Sequence, residues 1–152
     1  MLSLISPALI FSAIMACAFF ATASPLARRQ IGNVQCNVDR LEFVVGLQET
    51  SDQVDVLAAE LGNTTFASAV TTAQEGIHAT FIAADGIANA VFKNTTAPPE
   101  LRGQVGGNIT VIAQALSSIN TTDSAANTTL QQALTLLRGA AFAADSVVED
   151  CH

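Results

Sequence analysis

Tryptophan and tyrosine are absent from the 152 residues, charged side chains make up 12%, and Lys and Arg number six against 13 Asp and Glu. A net charge of −7 with a pI near 4.5 argues against a nucleic-acid partner, because such binding draws its affinity from clustered Lys and Arg. Two His and three Cys are too few for a zinc finger, an iron–sulfur cluster or a multi-His catalytic centre, so neither metal nor cofactor is expected. The length fits one small domain.

What the chain does have is apolar content, 50% of its residues, and the first block of it reads as an address. Residues 1–23 carry no charge, contain the apolar run Leu9, Ile10, Phe11, Ile14, Met15, Phe19 and Phe20, and end on Ala21-Thr22-Ala23, small residues at −3 and −1 of a cleavage site. This pattern is that of a secretory signal peptide. The stretch between Pro7 and Pro25 is short for a permanent anchor, so no transmembrane segment is expected in the mature protein. Residues 24–29 end in Arg28-Arg29, like a dibasic pro-peptide site of fungal secretory processing, which predicts a mature domain of residues 30–152. Removing residues 1–29 leaves four Lys and Arg against the same 13 acids, a charge of −9. Cys17 leaves with the leader. Cys36 and Cys151 remain as an even pair in an oxidising compartment and are expected to form a disulfide.

Apolar residues then recur at helical spacing in four segments, and strand-like alternation is nowhere sustained. The first, about 38–61, places Leu41, Val44, Leu47, Val54, Leu57 and Leu61 on one face and stops at Gly62-Asn63. In the second, about 65–92, the series Phe66, Val70, Ala73, Ile77, Thr80, Ala84, Ile87, Val91 steps by four and three. Ala97-Pro98-Pro99 breaks the chain, and Pro99 suits the first turn of a third helix, about 99–119, striped by Leu101, Val105, Ile109, Ile112, Leu116 and Ile119. The fourth, about 124–151, carries Leu130, Leu134, Leu137, Ala141, Ala144, Val148 and Cys151. Short connections favour an all-α, antiparallel up-down-up-down four-helix bundle. In that topology Cys36, just ahead of the first helix, and Cys151, at the end of the fourth, meet at one end.

Five Asn-x-Thr sequons, at Asn63, Asn94, Asn108, Asn120 and Asn127, predict a glycoprotein. Four lie at expected helix ends. Asn108 borders the stripe of Val105, Ile109 and Ile112, and is expected to be modified least.

The chemistry of catalysis is missing. A nucleophile needs a base within reach, and the domain offers only His78, inside a helix, and His152, at the terminus. Asp52, Asp55 and Glu60 read as a solvated face without aromatic platforms for a sugar ring. Asp145, Glu149 and Asp150 lack calcium-loop spacing, and Gly103-x-x-Gly106-Gly107 lacks the lysine and preceding strand of a phosphate loop. No catalytic residue is assigned, and the chain is expected not to be an enzyme.

Four apolar-striped helices tied at one end form an amphiphile that can open. Opened stripes can lie on oil, wax, polyester or lipid; closed, they can lodge a fatty acid or another lipid between helices. The residues expected to form the core, or to line a lipid, are Leu47, Val54, Phe66, Val70, Ile77, Ile87, Val105, Ile112, Leu116, Leu130, Leu134, Leu137 and Val148. Val56, Ile82, Phe92, Leu136 and Phe142 fall on outward positions and are the candidates for contact with a surface.

The secretory leader, the Ala/Thr/Ser-rich four-helix periodicity, the Ala97-Pro98-Pro99 hinge and the terminal Cys36 and Cys151 resemble basidiomycete small secreted proteins related to the hydrophobic surface-binding protein A family, which includes cell-wall galactomannoproteins. The resemblance implies adsorption to hydrophobic surfaces, recruitment of a secreted hydrolase, binding of fatty acids or a place in the cell wall, and implies no catalytic residues. The expectation is therefore a secreted, extracellular or cell-wall protein that adsorbs to a hydrophobic surface. The alternatives are an extracellular lipid carrier and an effector or inhibitor that binds a partner protein through its acidic exterior.

Overall fold

The computed structural model describes residues 34–93 and 95–151; the expected signal peptide, pro-segment and mature start lie outside the described residues. Four helices follow one another: α1 (Val34–Leu61), α2 (Ala67–Phe92), α3 (Pro99–Ser117) and α4 (Ser124–Asp150). The four-helix bundle expected from periodicity is the fold observed. Helix α1 starts four residues earlier than its apolar spacing indicated, so Cys36 sits inside its first turn rather than ahead of it.

The helix ends follow local chemistry. Thr64 closes α1: its N–H and hydroxyl both donate to Leu61 O, at 2.9 and 2.7 Å. The Thr64 hydroxyl then accepts from Phe66 N–H at 3.2 Å, so one side chain ends α1 and shapes the approach to α2. Gly62 does not take the left-handed backbone that a C-terminal glycine often supplies. Pro99 opens α3, with Glu100 in the first turn, where a negative charge favours the exposed N–H groups. Asp123 caps α4 by accepting from Ala126 N–H at 2.9 Å.

The bundle is a pair of pairs. Helix α1 packs most extensively against α4 and α2 against α3, while α1 against α2 and α3 against α4 are lighter seams. Small residues make both close pairings possible. A Cβ on Gly46 would lie 3.3 Å from Ala140 Cβ, and one on Gly76 would lie 2.7 Å from Ile112 Cγ1. Residue numbers run in opposite directions along each pair: Cys36 meets Cys151 and Gly46 meets Ala140, just as Gly76 meets Ile112 and Gly86 meets Leu101. Across the lighter α1·α2 seam, Gln74 Nε2 donates to Asp55 Oδ1 at 2.8 Å, so α2 doubles back along α1 from the 62–66 turn.

Leu47, Val54, Leu57, Ile112 and Leu116 are fully enclosed, with Val70, Ile77, Leu130 and Leu137 around them. Buried hydroxyls are satisfied inside their own helices, Thr50 to Gly46 O and Thr80 to Gly76 O at 2.7 Å each, and Thr129 to Ala125 O at 3.2 Å. These bonds travel with their helix, so separating the helices does not break them.

In α1 the structure corrects the phase of the stripe. The buried row is Cys36, Asp39, Phe43, Leu47, Thr50, Val54, Leu57 and Leu61, whereas Leu41 and Val44 are exposed. Successive steps of three lag the helical turn by about 60° each, so Leu41, Val44 and Leu47 wind off a single face. The row was masked because two of its members, Asp39 and Thr50, are polar. Val148 is also corrected: it is exposed, not core. From the shared 118–123 connection, α3 runs 19 residues and α4 runs 27, so the last turns of α4 extend about 12 Å past α3. Val91, in the last turn of α2, is exposed too.

Candidate functional site

The two cysteines expected to pair do so, with Cα atoms 5.1 Å apart. Beside them, Asp39 is buried; its Oδ1 accepts from Gln35 Nε2 at 2.8 Å and its Oδ2 has no hydrogen-bond partner. Periodicity missed this carboxylate because it occupies an apolar slot, and no spacing signal marks it.

Of the surface-contact candidates, Val56, Ile82, Phe92 and Phe142 are exposed, Phe92 at 87% and Phe142 at 75%, while Leu136 is half-buried. They do not form one patch. Ile82 is on α2 and Phe142 on α4, and the extensive contacts of these helices are with α3 and α1 respectively. A continuous feature lies elsewhere. Val34, Val38, Leu41 and Val45 are all exposed, Leu41 at 64%, and their spacing of four, three and four makes a second apolar stripe on α1, turned away from the buried one. That spacing was legible in the sequence, but folding leaves the stripe unused.

Next to this stripe a groove of about 290 Å³ runs between α1 and α4, floored by Gly46, Leu136, Gly139 and Ala140 and edged by Glu42, Val45, Glu49 and Thr135. A second open groove of about 330 Å³ lies between α2 and α3 and is lined mainly by small or polar residues, among them Ser68, Thr72, Gln114 and Ser118. Neither is lined by the expected core or lipid-lining residues. Of those, Leu47, Val54, Val70, Ile77, Val105, Ile112, Leu116, Leu130 and Leu137 are buried, and Phe66, Ile87 and Leu134 are half-buried against them.

Among the sequons, Asn63 and Asn120 are exposed in the connections and Asn127 is exposed in the first turn of α4. Asn108 is half-buried within α3, and Asn94 lies outside the described residues. His78 is exposed on α2 and His152 lies outside the described residues. Asp52, Asp55, Glu60, Asp145 and Glu149 are exposed. Among the described residues no cluster of three His, Cys, Asp or Glu is placed to hold a metal ion, and no helix is long and apolar enough to cross a membrane. The chain matches no protein-family model, no curated protein and no solved structure.

Proposed function

We propose that this is a secreted, non-enzymatic amphiphilic bundle that adsorbs to hydrophobic surfaces, in the manner implied by its resemblance to the hydrophobic surface-binding protein A family. The observation that carries the reading is the second stripe on α1, Val34, Val38, Leu41 and Val45, exposed along its length. A stripe at helical spacing that no helix of the bundle covers is apolar area left for a contact outside the fold. Covering it contributes about 25 cal/mol per Å², and because that contribution is not Coulombic, adsorption persists in salt.

Spreading follows first contact. The lighter seams lie between the α1·α4 pair and the α2·α3 pair, and the buried hydroxyl bonds stay within helices, so opening there exchanges mainly apolar contacts for the surface. The mature charge of −9 keeps the unbound protein soluble.

The test is depletion of the protein from solution by polystyrene or polyester beads in high salt, wild type against Leu41→Ser/Val45→Ser. The expected result is depletion of the wild type and slower, weaker depletion of the variant. A wild type that stays in solution, or a variant that adsorbs equally, overturns the reading. Native mass spectrometry that finds one lipid per chain would move the assignment to a lipid carrier.

A further inference from the structure

The exposed apolar residues are distributed unevenly along the bundle axis. The 62–66 and 118–123 connections both join one pair to the other, at the end remote from the Cys36–Cys151 bond. Cutting each helix at its midpoint separates a disulfide half from a connection half. Of the twelve large apolar side chains exposed among the described residues, ten fall in the disulfide half; only Val56 and Val111 fall in the other.

Net charge is uneven too. The connection half carries Glu49, Asp52, Asp55, Glu60, Glu75 and Asp123 and no Lys or Arg, a net charge of −6, whereas the disulfide half sets Arg40, Lys93, Arg102 and Arg138 against seven acids, a net charge of −3. Like charge without a compensating cation is costlier to bring to a medium of low dielectric than charge of mixed sign. The exposed sequon residues Asn63, Asn120 and Asn127 also lie at the connection end, where sugars would hold that end in water.

We infer that the bundle meets a non-polar surface end-on, disulfide end first, with its acidic connection end kept in solvent. The inference rests on the adsorption reading and deepens it by naming the contacting end. The occupant is an uncharged apolar phase such as wax, oil or polyester. Ten of the twelve exposed large apolar side chains lie at one end, where charge is of mixed sign, and six carboxylates without a cation lie at the other, which suits a boundary between water and such a phase. Asn94, which the sequence leads one to expect glycosylated, follows Phe92 by two residues, and end-on contact requires it instead to be free of glycan in the adsorbing protein.

The experiment is hydroxyl-radical footprinting of the native protein, free and at first contact with polystyrene beads, before the seams open, with oxidation read by mass spectrometry. Protection is expected at Leu41, Val45, Phe92, Phe142 and Val148, with Val56 and Val111 unchanged. In parallel, Leu41→Ser/Phe92→Ser/Phe142→Ser should weaken adsorption about tenfold or more, and Val56→Ser/Val111→Ser should leave it unaltered. Protection spread equally over both ends, protection of the connection end alone, or full glycan occupancy of Asn94 on adsorbed protein overturns the orientation while leaving adsorption standing. A solution dimer that buries the disulfide end assigns that end to a second copy and overturns the orientation as well. Absence of adsorption overturns both.

Discussion

Replacing Gly76 and Gly103 separately by Ala makes the same chemical change at two helical sites, and the structure predicts opposite signs. Each replacement gains about 1 kcal/mol of helix propensity. Around Gly103 a new Cβ meets nothing within 4 Å, so the gain is kept. At Gly76 the Cβ would lie 2.7 Å from Ile112 Cγ1 and 3.6 Å from its Cδ1, against an ordinary carbon separation of about 3.5–4.0 Å. Ile112 is fully buried, so it cannot swing into solvent, and α2 and α3 must part by several tenths of an ångström or more. Overpacking of this kind costs about 1–3 kcal/mol. The net expectation is a loss of about 0–2 kcal/mol for Gly76→Ala and a gain of about 1 kcal/mol for Gly103→Ala. Near 120 residues, 1 kcal/mol moves Tm by about 4 °C, so thermal unfolding followed by circular dichroism resolves the two. Adding Ile112→Ala to Gly76→Ala should relieve the clash, giving a double-mutant coupling of opposite sign to the single losses. If Gly76→Ala stabilises as much as Gly103→Ala, the close α2·α3 approach, and with it the pair-of-pairs architecture, is wrong.

Reduction of Cys36–Cys151, which spans 115 residues, should lower Tm markedly, since the chain-entropy contribution of such a loop is about 5 kcal/mol; a Tm unchanged by reductant would refute a stabilising role for the bond. Asp39→Asn keeps an acceptor for Gln35 while removing a buried carboxylate oxygen that has no partner, so stability should hold or rise by about 1 kcal/mol. A loss of that size in equilibrium unfolding would mean the carboxylate is needed. N-terminal sequencing of secreted protein should begin at Ser24 or Gln30, and retention of Met1 would overturn the secretory address. Glycopeptide mapping should find Asn63, Asn120 and Asn127 modified and the half-buried Asn108 least so; full modification of Asn108 alone would reverse that order.

The helices were legible from their apolar spacing and from Pro98-Pro99 before α3; the stop after α1 is expected at Gly62-Asn63 whereas Thr64 makes it, and the Asp123 cap of α4 is not among the signals read from the sequence. The disulfide was legible from parity and topology together. The rotation of α1 was not. Its buried row contains Asp39 and Thr50 while its exposed face contains Val34, Val38, Leu41 and Val45, so hydrophobicity selected a mixture of two rows. Nor was the fate of Val148, whose spacing matches Leu130 and Leu137 and whose exposure depends on how far the shorter α3 reaches. The contact candidates were chosen one helix at a time; Ile82, Phe92 and Phe142 are indeed exposed, but only the assembled bundle reveals that the exposed apolar residues gather toward one end.

The central claim, that exposed apolar area on the folded bundle is used against a non-polar phase, is tested most directly by the interfacial tension of an oil–water boundary as secreted protein is added. The account predicts a fall in tension that is equal in low and in molar salt and is diminished by Leu41→Ser/Val45→Ser. A tension that does not move, or a fall abolished by salt, would contradict it.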